Sequence, residues 1–380
     1  MKLKTVCFIC SEYPPGPHGG VGTMTQITAR ALVQKGFEVR VTGVYPEDYL
    51  AANYEDDQGV KVWRIKTKKG KYAWITGWRK QYSLIKKWDS NNEIDIVEAP
   101  DSRGWFAFWG KLSCKLVLRA NGSTTYFSKI LNQKVNKLTY VLEKLSYGRA
   151  DSYTAVSDFT AKKTTEIFKL EKKYTVIYNA IEERVSFSKS EIQQNKIVFA
   201  GSLVEKKGIL NLIHALNNIV NKNSEIIVEI YGKDTFNRER GSMVKFLESI
   251  VSPALKERLK IINHVPREKL FEAYSTANVA IFPSYAEAFA FAPMEAMLMG
   301  CPTIYTTRGS GPELIKNNVD GLLVDPDNIE EIAKAIEYLC VNLDRASEMG
   351  EKGRDKILEK FTINKMIDQL INYYESVLNQ

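Results

Sequence analysis

Histidine is scarce in this chain: three in 380 residues, at His18, His214 and His264. So scattered, they offer no zinc site. Cysteine is sparse too, with five residues. An odd count in a long chain argues against a disulfide framework. Cys7 and Cys10 form C-x-x-C, but in a stretch that reads as a strand, where their side chains point to opposite faces. They read as core cysteines, and a reducing cytoplasm is the expected compartment. No apolar run reaches the length of a membrane span. The start, MKLKTVCFIC, lacks the long apolar run and small-residue cleavage site of a secretory signal and reads as a first strand. There is no helix-turn-helix, zinc-finger or RNA-sheet motif, so a nucleic-acid partner has no support. Repeats and low-complexity tracts are absent as well.

What is present is ordinary globular material, 44% hydrophobic and 26% charged. The length predicts two domains, each able to bury a core. Charge is unevenly spread. Residues 1–190 hold 31 Lys and Arg against 19 Asp and Glu, a balance of +12; residues 191–380 hold 22 against 26, a balance of −4. A half this basic invites an anionic partner.

Strand-like and helix-like runs alternate from end to end. Strands are expected at Thr5–Cys10, Glu38–Thr42, Val60–Ile65, Ile94–Glu98, Lys115–Arg119 and Asp151–Val156. A second set follows at Lys196–Ala200, Ile226–Tyr231, Leu259–Ile262, Val279–Phe282, Thr303–Tyr305 and Gly321–Val324. The spacing leaves room for crossover helices, the pattern of parallel sheets covered on both faces. The polar stretch Glu182–Asn195 precedes a fresh strand and marks a boundary between domains 1–185 and 186–362. After Ile329 the chain reads as helical.

Two carboxylates, Glu287 and Glu295, stand eight residues apart in PSYAEAFAFAPMEAMLMGCPT. An apolar strand, a Pro-Ser turn and a loop precede Glu287. Pro293 suits the first turn of a helix, Glu295 follows it, and Gly300 ends that helix. One acid thus lies at a strand's carboxyl end and the other on the helix leaving it. In open α/β sheets that edge binds ligands. Carboxylates there can hold hydroxyls while helix amides hold phosphate, which suits a sugar nucleotide. The plain alternative is two solvated helix-start acids favoured by the dipole. Near the start, Gly16, Gly19, Gly20 and Gly22 lie between the first strand and first helix. Glycines there let backbone approach an anion, although GPHGGVG is not the dinucleotide fingerprint.

These segments together resemble the retaining glycosyltransferases of the GT-B fold, glycosyltransferase family 4. The Glu287–Glu295 stretch resembles that family's E-x7-E signature. In the family's order, HGGVGTMTQITARAL resembles its glycine loop and first helix. AVSDFTAKK with VIYNAIEE resembles the end of its first domain, and FAGSLVEKKGILNLIHAL the start of its second. GPELIKNNVDGLLVDPDN resembles the segment after the signature. The resemblance spans nearly the whole chain. It implies two Rossmann-like α/β domains with parallel sheets facing across a cleft, and residues 363–380 as a helix crossing back to the first domain.

By that resemblance the chain moves a sugar from a nucleoside diphosphate to a glycan or lipid-linked acceptor, with retention, with no cofactor and no bound metal. Gly20 meets the donor's distal phosphate through its amide, and Lys207 is the donor-binding lysine of GSLVEKKG. Ser202 stands where the family has arginine, and a serine cannot supply a guanidinium's bidentate contact. Ser202 and Lys206 are therefore the candidate phosphate contacts beside Lys207. Asn121 stands where the family often has a histidine near the transferred sugar; it can hydrogen-bond but not exchange a proton near neutral pH. Glu287 holds hydroxyls of the transferred sugar and Glu295 the ribose diol. Ala288-Phe289-Ala290 replaces the family's Gly-Phe-Gly and puts its backbone path in doubt, since alanine disfavours φ > 0. Val265 sits where the backbone meets the base. Ser202 and Asn121 keep open a non-catalytic binding subunit; a nucleotide-sugar epimerase of the same fold is the other alternative.

The segment Lys61–Trp88 carries ten Lys and Arg and four of the six tryptophans. Trp74, Trp78, Tyr82 and Ile85 fall on one helical stripe. This reads either as peripheral contact with the inner membrane face or as a helix packed on its own sheet.

Overall fold

The computed structural model describes residues 2–70, 73–183, 191–221, 225–237 and 240–380. The chain divides into two compact units, Met1–Ala180 with Ile363–Gln380, and Ile181–Thr362. The boundary expected at Glu182–Asn195 falls in part on residues 184–190, outside those described.

In the first unit the elements run β1 (Thr5–Ile9), α1 (Gly20–Gln34), β2 (Glu38–Pro46), β3 (Tyr54–Asp57), β4 (Val60–Thr67), α2 (Ala73–Ser90), β5 (Ile96–Pro100), β6 (Lys115–Ala120), α3 (Thr124–Ile130), α4 (Lys137–Arg149), β7 (Ser152–Ala155), α5 (Asp158–Phe168) and β8 (Tyr174–Val176). Its sheet has the order β3-β4-β2-β1-β5-β6-β7-β8. β1, TVCFI, is buried at every residue, as a parallel strand covered on both faces must be. Cys7 and Cys10 are buried there, and burial pushes their thiols up to about 12 and about 11. β3 alone runs antiparallel, on β4. Its two-residue turn, Gln58-Gly59, has φ 54° and 88°, the geometry of a type I′ hairpin.

The stripe on α2 faces inward. Ile85 and Trp88 are buried, and Trp78 and Tyr82 pack against the same core. Trp88 meets Trp63 at 4.7 Å and lies under the Arg40 guanidinium at 5.0 Å. Only Trp74 of the stripe is exposed. Lys71, in the basic run, lies outside the described residues.

The second unit holds β9 (Gln193–Ala200), a 3-10 turn (Glu205–Lys207), α6 (Ile209–Val220), β10 (Ile227–Tyr231), the hairpin β11 (Phe236–Asn237) and β12 (Gly241–Ser242), α7 (Met243–Ile250), α8 (Pro253–Lys256), β13 (Leu259–Ile262), α9 (Arg267–Thr276), β14 (Ala277–Phe282), α10 (Phe291–Leu298), β15 (Thr303–Thr306), α11 (Gly311–Leu314), β16 (Leu322–Val324), α12 (Ile329–Val341) and α13 (Leu343–Lys360). Its main sheet, β13-β10-β9-β14-β15-β16, is parallel throughout. The core lies between that sheet and helices such as α6, whose Ile209, Leu212, Ile213, Leu216 and Ile219 are buried. Those positions trace one helical face.

The last helix, α14 (Ile363–Leu378), belongs to the first unit. It packs on α1. Tyr374 donates its hydroxyl to the buried Glu98 at 2.8 Å, and Tyr373 to Ser152 at 2.7 Å. Both units are thus layered α/β bodies of the Rossmann kind.

Candidate functional site

The second unit gathers the expected donor-side residues at the carboxyl ends of its strands. β9 runs into a turn closed by Gly208, with φ 73°. A Cβ on Gly208 would lie 1.8 Å from the Pro283 carbonyl oxygen, so only glycine lets this turn press onto the loop after β14. The Tyr285 amide then donates to the Lys206 carbonyl at 2.8 Å. The result joins residues 80 apart in sequence: the Lys207 ammonium donates to Glu287 Oε1. Burial holds the Lys206 ammonium below its usual range, with Glu287 opposing and Lys207 adding to the shift. Lys206 therefore stands within electrostatic reach of both. Ser202 is exposed, and its carbonyl accepts the Val204 amide at 2.8 Å.

Glu295, buried on α10, accepts from Arg267 Nε at 2.7 Å. Arg267 is the first residue of α9 and its guanidinium lies 5.1 Å from the Phe271 ring centre. Val265, two residues earlier, lines a groove of about 440 Å³ with Tyr231, Ile262, Lys269 and Glu272. Between the two acids, Ala288-Phe289-Ala290 follows a path that needs no glycine. Ala290 has φ −82°, and neither Ala288 nor Phe289 has positive φ. Phe289 is buried against Phe361, ring centres 5.4 Å apart. Gly309, at φ 63°, packs on the Glu287 backbone; a Cβ there would lie 2.9 Å from the Glu287 carbonyl oxygen.

In the first unit Gly20 opens α1, and Gly19 caps it without a side chain. An acid takes the cap's place: Glu12 accepts the Gly22 amide at 2.8 Å. Gly22 is required there, because a Cβ would lie 2.0 Å from the Glu12 carbonyl oxygen. Asn121 follows β6. Its amide group donates to the Arg119 carbonyl at 3.1 Å, and its backbone N–H donates to Asp101 at 3.0 Å. Gly122 then turns at φ 87°, and Ser123 caps α3 while donating to Glu143 at 2.9 Å. Burial pushes the Asp101 carboxyl up to about 7, and raises Glu143 as well.

The sequence reading missed three of these groups. Arg267 follows Val265-Pro266 at a helix start, and nothing in spacing ties it to Glu295, 28 residues on. Glu12 and Asp101 each follow a strand end, where an acid reads as a turn residue. A carboxylate has about four acceptor sites, so one cation on each of Glu287 and Glu295 leaves capacity for hydroxyls. Among the described residues no group of three His, Cys, Asp or Glu is placed to hold a metal ion. No helix among them is long and apolar enough to cross a membrane.

Known proteins resemble this chain in sequence and fold. Residues 181–356 match the family described as glycosyl transferases group 1, and residues 18–184 match glycosyltransferase family 4. An uncharacterized glycosyltransferase of Methanocaldococcus jannaschii is 25% identical over 99% of this chain and 98% of its own. A capsular polysaccharide biosynthesis glycosyltransferase of Staphylococcus aureus is 26% identical over 63% of this chain and 66% of its own. Among solved structures, that of Anabaena HepE in complex with UDP-glucose superposes with a TM-score of 0.77 at 16% identity, covering 98% of this chain and 99% of the other.

Proposed function

Since the chain belongs to the GT-B glycosyltransferases of the family 4 type, we propose that it moves a sugar from a nucleoside-diphosphate donor to an acceptor in surface polysaccharide or glycolipid assembly, with retention at the anomeric carbon and without a metal. The observation that carries this reading is the pairing of each signature acid with a cation at one sheet edge, Glu287 with Lys207 and Glu295 with Arg267. Such pairs orient the two carboxylates before a donor arrives. Hydroxyl groups of the sugar meet Glu287 and those of the ribose meet Glu295, while Lys207 and Lys206 turn to the diphosphate. Chemistry then rests on positioning and charge stabilisation. The leaving phosphate oxygen takes the acceptor's proton, so Asn121 need not exchange one. The UDP-glucose bound by HepE and the capsular role in the S. aureus relative's name support the donor class and the pathway class.

A binding subunit without catalysis is the second reading. It is favoured by the Asn121 side chain, which bonds its own strand's carbonyl, and by the serine at 202. Incubation with UDP- and GDP-sugars separates the two. The transferase reading requires slow release of nucleoside diphosphate without acceptor, abolished by Glu287→Gln. A chain that binds these donors and releases none is the binding subunit.

A further inference from the structure

We propose that the solvent face of α4 is a docking surface for an anionic lipid bilayer. α4 turns Glu143, Ser146 and Tyr147 inward. Its opposite face should be polar in a helix that meets only water. Instead it presents Leu138, Val141 and Leu145, which are 60%, 47% and 43% exposed. At positions i, i+3 and i+7 they form one stripe. Lys137, Lys144 and Arg149 are exposed beside it. The helix's one acid, Glu143, is buried, accepting from Ser123 and Thr125.

The loop between β5 and β6 lies along the same helix. A Cβ on Gly104 would stand 2.5 Å from the Leu142 backbone, and the Phe106 amide donates to Ser146 Oγ at 3.0 Å. That loop exposes Phe108 by 66%, edge-on to Trp78 at 5.8 Å, and Trp78 meets the exposed Trp74 at 5.6 Å. Residues 101–149 contain nine Lys and Arg and two acids, Asp101 and Glu143. Both acids are buried, so this stretch shows water only apolar and cationic side chains besides its neutral polar ones.

Charge decides the occupant. A two-fold pairing of copies through α4 would set Lys137, Lys144 and Arg149 against their own equivalents with no exposed acid on the helix to meet them. An anionic bilayer offers apolar depth beneath a plane of negative charge, which fits both features. The surface lies in the first unit and uses no donor-binding residue. It rests on the glycolipid-assembly reading proposed above, and the two fail separately, because flotation does not require the chain to bind nucleotide.

The test is flotation of the full chain with vesicles of phosphatidylcholine and phosphatidylglycerol, and with phosphatidylcholine alone. Wild type should float with the anionic vesicles at low salt and less at high salt. Each inserted aliphatic side chain is worth about tenfold in partitioning, so Leu138→Ser, Val141→Ser and Leu145→Ser combined should abolish flotation. Unchanged melting and nucleoside diphosphate binding certify that variant's fold. Lys137→Ser, Lys144→Ser and Arg149→Ser combined should weaken flotation on anionic vesicles only. Equal flotation of wild type and the leucine-stripe variant overturns the proposal, as does none by wild type at low salt. Loss of flotation on changing Lys68, Lys69, Arg79 and Lys80 to Ser, with the α4 variants intact, would return the contact to α2. Lipid-free self-association that the stripe variant abolishes would make the face a contact between copies.

Discussion

Arg267 Nε lies 2.7 Å from Glu295 Oε1, joining the first turn of α9 to the helix that carries the second signature acid. The pair is partly buried, with Arg267 two-thirds covered and Glu295 more so. It fixes the carboxylate's orientation before any ligand binds. Glu295→Ala removes the acceptor proposed for the ribose and leaves Arg267 without that carboxylate. A charge-assisted hydrogen bond is worth about 1.5–3 kcal/mol, so donor affinity should fall roughly 10- to 150-fold. Arg267→Ala keeps the acceptor and loses only its orientation, so its loss should be smaller. The double variant should be no weaker than Glu295→Ala alone, because the two act as one unit. Calorimetry with a nucleoside diphosphate reads all three; additive losses would separate the residues.

Glu287→Gln is expected to divide turnover from nucleotide binding. Glu287 is assigned to the sugar, and its ion pair occupies Lys207. A neutral glutamine releases that ammonium toward phosphate. Affinity for bare nucleoside diphosphate should hold or rise, while kcat/KM falls by about 10- to 150-fold, the cost of one charge-assisted bond. Equal losses for bare nucleotide and intact donor would remove Glu287 from the sugar.

Much of the architecture was legible because it is written in local runs. The strands expected for both sheets are all present, within a few residues at their ends. What escaped was polar, short or distant. β3 is YEDD, an exposed edge strand with no apolar face, recognisable only through its Gln58-Gly59 turn. β8 has three residues, and β11 and β12 two each. The α2 stripe was visible as periodicity, but period alone cannot say whether sheet or lipid covers it. The exposed stripe on α4 was hidden for the converse reason: with Tyr147 apolar on the inner face and leucines on the outer, the helix shows no clean pattern. In the site, Glu287 and Lys207 were each readable from motif, whereas their ion pair depends on Gly208 pressing two loops together.

Ser202→Arg should tighten nucleoside diphosphate binding by roughly tenfold, the worth of one charge-assisted phosphate contact in this setting. Ser202 is exposed at the head of the turn that carries Lys206 and Lys207. A guanidinium there has Glu205 nearby, which already takes Arg240 at 3.2 Å. Calorimetry decides: unchanged or weaker binding would mean that Lys206 already fills the role, or that Glu205 captures the new arginine.

Transfer should survive chelation. Phosphate charge is assigned to Lys207, Lys206 and backbone amides. The assay is transfer with excess EDTA; activity that vanishes and returns with manganese or magnesium would contradict the assignment.

Asp101 gives the first unit a defined pH response. Its carboxyl is buried and pushed up to about 7 from the usual 3.8, chiefly by desolvation. In the unfolded chain it releases its proton near the usual value, so across that window the fold holds a proton the unfolded chain has lost. Stability from this group is complete below about pH 4 and is lost as pH rises through about 7. Glu143, also raised by burial, acts in the same direction. Asp101→Asn keeps an oxygen for the Asn121 amide and an amide group that can donate to the Tyr147 hydroxyl, yet cannot ionise. Wild type should therefore lose several degrees of melting temperature relative to the variant between roughly pH 5 and pH 8. Parallel melting curves for the two would show that Asp101 does not titrate in that range.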